Sequence, residues 1–318
     1  MDTNQVVFYP SAVANAPLLI PDIFNVIVVH ADFPDLFNLC YTHKTLYQKD
    51  YLFHEIFKTR FPTMTLLKPC NRSWFQWLWV CYQLSLLEEW IHPFHDYTMT
   101  TLWGLRKLDL SGNQLTTLPA AMGQLQNLQE LFLSHNQLTT LPSEMRQLQN
   151  LQELSLFWNK LTTSPYEIDQ LYNLKQLNLS KNQLTTLPDT MGQLQNLQGL
   201  YLSCNRLTTL PTAIGQLHKL QELYLSYNQL TTLPATMGQL QSLQVFNLIE
   251  NQLTTLPVAI GQLHSLQELY LSENQLTTFP SEIDQLHNLQ ELYLNHNPLH
   301  PAPSTQNYAN NINPQWIH

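Results

Sequence analysis

Three sets of side chains in this sequence have types suited to chemistry or recognition. Cys70, Cys81, His92 and His95 stand within residues 70–95, and thiolate with imidazole is a zinc-ligand chemistry. Their spacing is not that of a zinc module, however, and the cysteines lie among Trp74, Phe75 and Trp77, where a thiol behaves as a small buried hydrophobe. No metal is expected. His218, His264 and His287 recur at one place beside a core leucine, which makes them surface residues before general bases. No phosphate-binding glycine loop, dinucleotide fingerprint or nucleophile elbow is present, and glycines such as Gly123 and Gly192 punctuate a repeat. The third set is aromatic and acidic, with Phe157 and Trp158 at its centre, and suits binding. The chain reads as a binder, not an enzyme, with no cofactor.

Those binding residues fall in a pattern that returns every 23 residues from Leu105 to Asn297. The unit is LxxLxLxxNxLxxLPxx(I/M)xxLxx, with asparagines at Asn113, Asn136, Asn159, Asn182, Asn205, Asn228, Asn251, Asn274 and Asn297. Nine copies at one period predict a solenoid, because one unit cannot bury its apolar face alone. In LQELFLSHN, Leu131 and Leu133 alternate with Glu130, Phe132 and Ser134. That alternation predicts a short strand with inward leucines, and the copies stack into a parallel sheet lining a concave face. The asparagines are expected to be structural, their amides bonded to backbone groups where the chain turns into the core. Pro119 fixes entry to the convex segment, and Met122 and Leu125 close the core there.

Positions that the stack leaves free carry the recognition signal. The third strand position reads Lys107, Glu130, Glu153, Gln176, Gly199, Glu222, Val245, Glu268, Glu291, and the fifth reads Asp109, Phe132, Ser155, Asn178, Tyr201, Tyr224, Asn247, Tyr270, Tyr293. An acidic stripe beside an aromatic one suits a partner with basic and apolar groups, although duplication of one unit also produces such recurrence. The eighth position changes almost every time: Gly112, His135, Trp158, Lys181, Cys204, Tyr227, Glu250, Glu273, His296. It is expected at the rim of the sheet, free of any demand from the stack. Repeat three departs furthest, with Phe157, Trp158, Lys160, Ser164, Tyr166 and Tyr172. Exposed Trp and Phe suit an interface anchor, and local packing of Trp158 over its neighbours is the other reading. The expected target-binding set is Glu130, Phe132, His135, Glu153, Phe157, Trp158, Lys181, Tyr201, Tyr224, Tyr227, Tyr270 and Tyr293, centred on Phe132, Phe157, Trp158 and Tyr201.

The repeat resembles the leucine-rich repeat family, in its intracellular 23-residue class with LP after the loop. The resemblance implies an α/β solenoid with a curved parallel sheet on its concave face. Upstream, IPDIFNVIVV, DFPDLFNLCYTHKTLYQKD and YLFHEIFKTRFP show helical spacing and predict three short helices. This stretch resembles the F-box, a small all-α module that docks on the Skp adaptor of cullin-type ubiquitin ligases. Ile20-Pro21 stand where that family has Leu-Pro, Ile27 where it has the first-helix Ile, and Asp35-Leu36 where it has Asp-Leu. The resemblance thus implies an adaptor-binding set of Ile20, Pro21, Ile23, Ile27, Asp35, Leu36 and Leu39. A helical cap for the solenoid is the plainer reading of the same residues.

The domain reading is a loose arm at 1–16, the F-box-like module at 17–62, an aromatic linker and cap at 63–104, nine repeats at 105–297 and a cap or tail at 298–318. Formal charge is -9, so a general phosphate-neutralising binder of nucleic acid is not expected. The irregular cysteines Cys40, Cys70, Cys81 and Cys204 and a start that does not read as a signal peptide suggest a reducing compartment: the cytoplasm, with the nucleus or a host cytosol as further settings. No membrane span is expected. Together these readings imply the substrate receptor of a ubiquitin ligase, holding Skp and the cullin through the F-box and an unidentified target on the concave face. The alternative is a stand-alone scaffold for a signalling or phosphatase complex.

Overall fold

The computed structural model describes residues 87–89, 91 and 98–299. The F-box-like stretch, the Cys70–His95 set and the tail beyond Leu299 lie outside the described residues. The chain divides into two compact units, Met1–Gln83 and Leu84–His318. The second unit carries the repeats.

Its first complete element is α1, Met99–Gly104, closed at its start by a capping box between Thr98 and Thr101. Leu87, Ile91 and Leu102 are fully buried there. After α1 the repeats begin. Their strands are β1 Lys107–Asp109, β2 Glu130–Phe132, β3 Glu153–Ser155, β4 Gln176–Asn178, β5 Gly199–Tyr201, β6 Glu222–Tyr224, β7 Val245–Asn247, β8 Glu268–Tyr270 and β9 Glu291–Tyr293. They form one nine-stranded parallel sheet in sequence order, each residue paired with the one 23 positions on, as Glu130 with Glu153. Parallel strands need a crossover, and here the rest of each repeat supplies it.

On the outer side that crossover is a short 3-10 helix, which fills the convex segment expected after Pro119. Pro119 stands before Ala120–Gln124 with φ -72, and Leu125 N–H closes on Met122 O at 3.1 Å. Five residues are enough for a 3-10 helix but leave no room for a stable α-turn series. Between sheet and outer helices run the buried rows predicted from the pattern: Leu108, Leu110, Leu128, Leu131 and Leu133 from the sheet side, and Met122 and Leu125 from the other. Repeat seven puts Phe246 where other copies have leucine, and it too is fully buried.

Glycine at the fourth residue of the outer helix is set by stacking distance. A Cβ on Gly123 would lie 2.5 Å from Glu144 O, and one on Gly215 would lie 2.4 Å from Thr236 O. Repeats two and eight place the exposed Arg146 and Asp284 there, and repeat three departs further. Its outer helix is only Ile168–Gln170, with Glu167 in helical conformation before it, and it carries Asp169 at the glycine position.

Candidate functional site

The ladder asparagines build the edge from which the candidate residues project. Asn205 accepts from Leu184 N at 3.0 Å and donates to Leu179 O at 3.0 Å and to its own Leu202 O at 2.9 Å. Asn136, Asn159, Asn182, Asn228, Asn251, Asn274 and Asn297 repeat this three-way pattern. Asn113, at the start of the array, instead gives its backbone N–H to Asn136 Oδ1 at 3.1 Å. Each amide satisfies carbonyls of two successive turns, so it fixes the spacing between repeats as well as the turn itself.

A second ladder escapes a reading by sequence. Asn127, Asn150, Asn173, Asn196 and Asn288 each donate to the carbonyl 24 residues back, at 2.7–2.8 Å. Ser242 makes the same bond to His218 O at 2.8 Å. Its signal is the recurrence of asparagine at the last place of the unit, beside glutamines that are equally regular. Gln124 is buried and donates to Gln147 Oε1.

The eighth position is where expectation and structure part most clearly. His135, Trp158, Lys181, Cys204, Tyr227, Glu250, Glu273 and His296 all have φ between 53 and 59, and Gly112 has φ 74. The position is therefore far from free: the backbone enters the left-handed region, in which a Cβ is disfavoured. The turn demands it, because in repeats one to eight this amide must reach the next repeat, as Trp158 N does to Ser180 O at 3.0 Å. With glycine absent after repeat one, bulky side chains are held in a row along the sheet edge, and neighbours in that row pair. His135 and Trp158 rings lie 5.0 Å apart, and Lys181 Nζ sits 4.3 Å from the Trp158 centroid. Further along, His296 Nδ1 meets Glu273 Oε1 at 2.7 Å. The neighbouring Glu250 raises the pKa of the Tyr227 phenol.

The aromatic centre expected from sequence divides into three. Phe157 packs edge-on to both His135, at 5.2 Å, and Trp158, at 6.2 Å, with Lys181 also over its ring at 5.4 Å. Trp158 remains 51% exposed, so the packing holds the indole in place without hiding it. Phe132 faces Lys107, whose Nζ is 4.7 Å from its ring centroid and 2.8 Å from Glu130 Oε2. Tyr201 is on β5, three strands or about 14 Å from Phe132 on β2. It stacks instead on Tyr224, centroids 5.3 Å apart, and gives its hydroxyl proton to Glu222 at 2.7 Å. Tyr270 and Tyr293 form a second stack at 4.9 Å.

The acidic and aromatic stripes are thus one hydrogen-bonded surface. Burial, and then the neighbouring carboxylates, push the Tyr201 and Tyr270 phenols well above the usual range, so both stay protonated donors. Glu153 lies beside Glu130 in register on the same face. Among the described residues no three His, Cys, Asp or Glu are grouped as metal ligands, and no helix is long and apolar enough to cross a membrane.

Comparison with known proteins accounts for this architecture. A leucine-rich repeat region matches residues 159–252, and a leucine rich repeat matches residues 103–161 and 257–299. The solved structure of an LRR protein of Leptospira interrogans is 40% identical, covering 69% of this chain and 68% of that one, with a TM-score of 0.51. The chain belongs to the leucine-rich repeat family. The LRR ectodomain of the Arabidopsis thaliana membrane receptor kinase GASSHO1/SCHENGEN3, solved in complex with Casparian strip integrity factor 2, is 37% identical with a TM-score of 0.56. The match covers 61% of this chain and 24% of that one. The plant peptide hormone receptor RGFR1 in complex with RGF2 is 33% identical, with a TM-score of 0.51, and the match covers 60% of this chain and 36% of that one. Among curated proteins none gives a significant match. Leucine-rich repeat proteins are protein-binding scaffolds, and their fold is typically non-enzymatic. The family matches fall on the repeats, and the F-box resemblance finds no counterpart in them.

Proposed function

We propose that this protein is a non-catalytic adaptor that holds a target protein on the open face and edge of its repeat sheet. The observation that carries the reading is the half-exposed indole of Trp158, fixed by His135, Phe157 and Lys181. A rigid aromatic presented at low conformational cost is the kind of residue that dominates binding energy at protein interfaces. The two plant receptors, each solved with a bound partner, support a recognition role for this architecture. The F-box-like residues Ile20, Pro21, Ile23, Ile27, Asp35, Leu36 and Leu39 extend the proposal: they dock a Skp-type adaptor in the cytoplasm, and the bound target is ubiquitinated through proximity to a cullin ligase.

Affinity purification of the full chain from a eukaryotic cytosol, read by mass spectrometry, tests both parts. Trp158→Ala is expected to lose the target and keep the adaptor, whereas Leu36→Asp is expected to lose the adaptor and keep the target. Target capture unaffected by Trp158→Ala overturns the first part. Absence of Skp and cullin from the unmutated sample overturns the second and leaves a stand-alone scaffold.

A further inference from the structure

Charge is divided unequally along the array. Residues 105–219 hold eight lysines and arginines against seven aspartates and glutamates, whereas residues 220–299 hold seven acids and neither lysine nor arginine. Five of those acids, Glu222, Glu250, Glu268, Glu273 and Glu291, stand on the strands of repeats six to nine or at the sheet edge. Solubility alone explains no such placement, since the outer face of the same repeats is mostly neutral glutamine and threonine.

The sheet face itself has two matching features. Tyr270 and Tyr293 stack, as Tyr201 and Tyr224 do, so flat ring faces line the strands. Beside them Glu268 and Glu291 are paired directly in register, and one Tyr270 hydroxyl lies 2.9 Å from the first carboxylate and 3.1 Å from the second. A hydroxyl has one proton and serves one of these carboxylates at a time. Adjacent strands hold the two negative charges together at a spacing of about 4.8 Å. The nearby histidine that pairs with an acid, His296, is bonded to Glu273 at the edge. A guanidinium supplies what this face is built to meet: a planar cation that bridges carboxylates with several donors and stacks on tyrosine.

We propose that the open face of repeats six to nine docks an arginine-bearing segment of the target protein. The proposal rests on the protein-binding reading and gives the partner its chemistry. From β6 to β9 is three strand spacings, about 14 Å, or roughly four residues of extended chain. Arginines about four residues apart in such a segment, as in an arginine–serine alternating chain, fall on Glu222 and on the Glu268–Glu291 pair.

The test is titration of the full chain with an eight-residue arginine–serine alternating peptide, a lysine–serine peptide and a glutamate–serine peptide, at low and at high salt. The arginine peptide is expected to bind most tightly, the glutamate peptide not at all, and salt to weaken the complex. Glu268→Gln with Glu291→Gln keeps an acceptor for Tyr270 and is expected to weaken binding by roughly tenfold or more, with thermal melting reporting that the variant is folded. Trp158→Ala is expected to bind the peptide unchanged, which separates this face from the aromatic patch of repeat three. No binding of the arginine peptide at low salt, equal binding of the lysine peptide, or equal affinity of the folded double variant overturns the proposal. Such a failure alongside Trp158-dependent target capture leaves the adaptor reading standing.

Discussion

A side chain at the eighth position stands where the backbone prefers glycine, yet eight of the nine repeats place a larger residue there. The left-handed conformation costs an L-residue about 1–2 kcal/mol, part of which glycine returns through its own unfolded-state entropy. At Cys204, which is half-buried, replacement by glycine is therefore expected to stabilise the fold by about 0.5–1 kcal/mol. The check is a higher urea midpoint at unchanged slope. At Trp158 the same replacement removes the ring contacts with His135, Phe157 and Lys181, so the two sites are expected to respond differently. Asp169 shows strain of another kind. It is 2% exposed, Thr190 donates to one of its oxygens, and the other, Oδ1, is without a hydrogen-bond partner. Burial raises its pKa to about 6, against the help of Thr190, and Glu167 raises it further. Because the folded value lies above the unfolded one, the stability this group contributes is complete below pH 3.8 and is lost as pH rises through about 6. Asp169→Asn mimics the protonated form. Its unfolding free energy is expected to match the parent near pH 4 and to exceed it by about 2–3 kcal/mol at pH 7.5. Equal pH profiles for the two proteins show that Asp169 is not the titrating group.

Within an element, the closest constraint is the meeting of one outer 3-10 helix with the next. Gly215→Ala sets a methyl 2.4 Å from Thr236 O, a backbone atom that cannot turn aside. The expected cost is about 1–3 kcal/mol in thermal or urea unfolding. Gly104→Ala, where nothing lies within 4 Å, serves as the control and is expected to show no steric loss. These elements were legible in the sequence to the extent that side-chain type reports their environment. Leu131 and Leu133 alternate because one face of a strand is buried, and Asn136 recurs because a buried turn needs both a donor and an acceptor. The left-handed row was not legible, since Trp, Lys, Cys, Tyr and Glu at that place are not the types that announce a positive φ. Nor was the coupling of the acidic and aromatic stripes. It arises between Tyr201 and Glu222, which are 21 residues apart and meet only because the 23-residue register sets their strands side by side. The grouping of Phe157 and Trp158 with Lys181 depends in the same way on the next repeat.

At the scale of the whole array, stability in a solenoid is a sum of repeat terms and nearest-neighbour interfaces, so a single weak interface divides it. Repeat three is such a place. Its outer helix is three residues long where the others have five, Ser164 replaces the usual leucine with a buried unpartnered Oγ, and Asp169 is a buried carboxyl where repeats one and four to seven have glycine. On its sheet side the asparagine ladder continues unbroken through Asn159 and Asn182. The outer side is thus weakened while the inner side holds. Hydrogen exchange at pH 7.5 is accordingly expected to resolve two levels of protection. Amides of repeats one to three open together at lower free energy than those of repeats five to eight. Joint replacement of Ser164 by leucine and Asp169 by glycine restores the repeat consensus and is expected to raise the protection of the first group toward that of the second. Uniform protection of all the repeats in the parent chain excludes a weak joint.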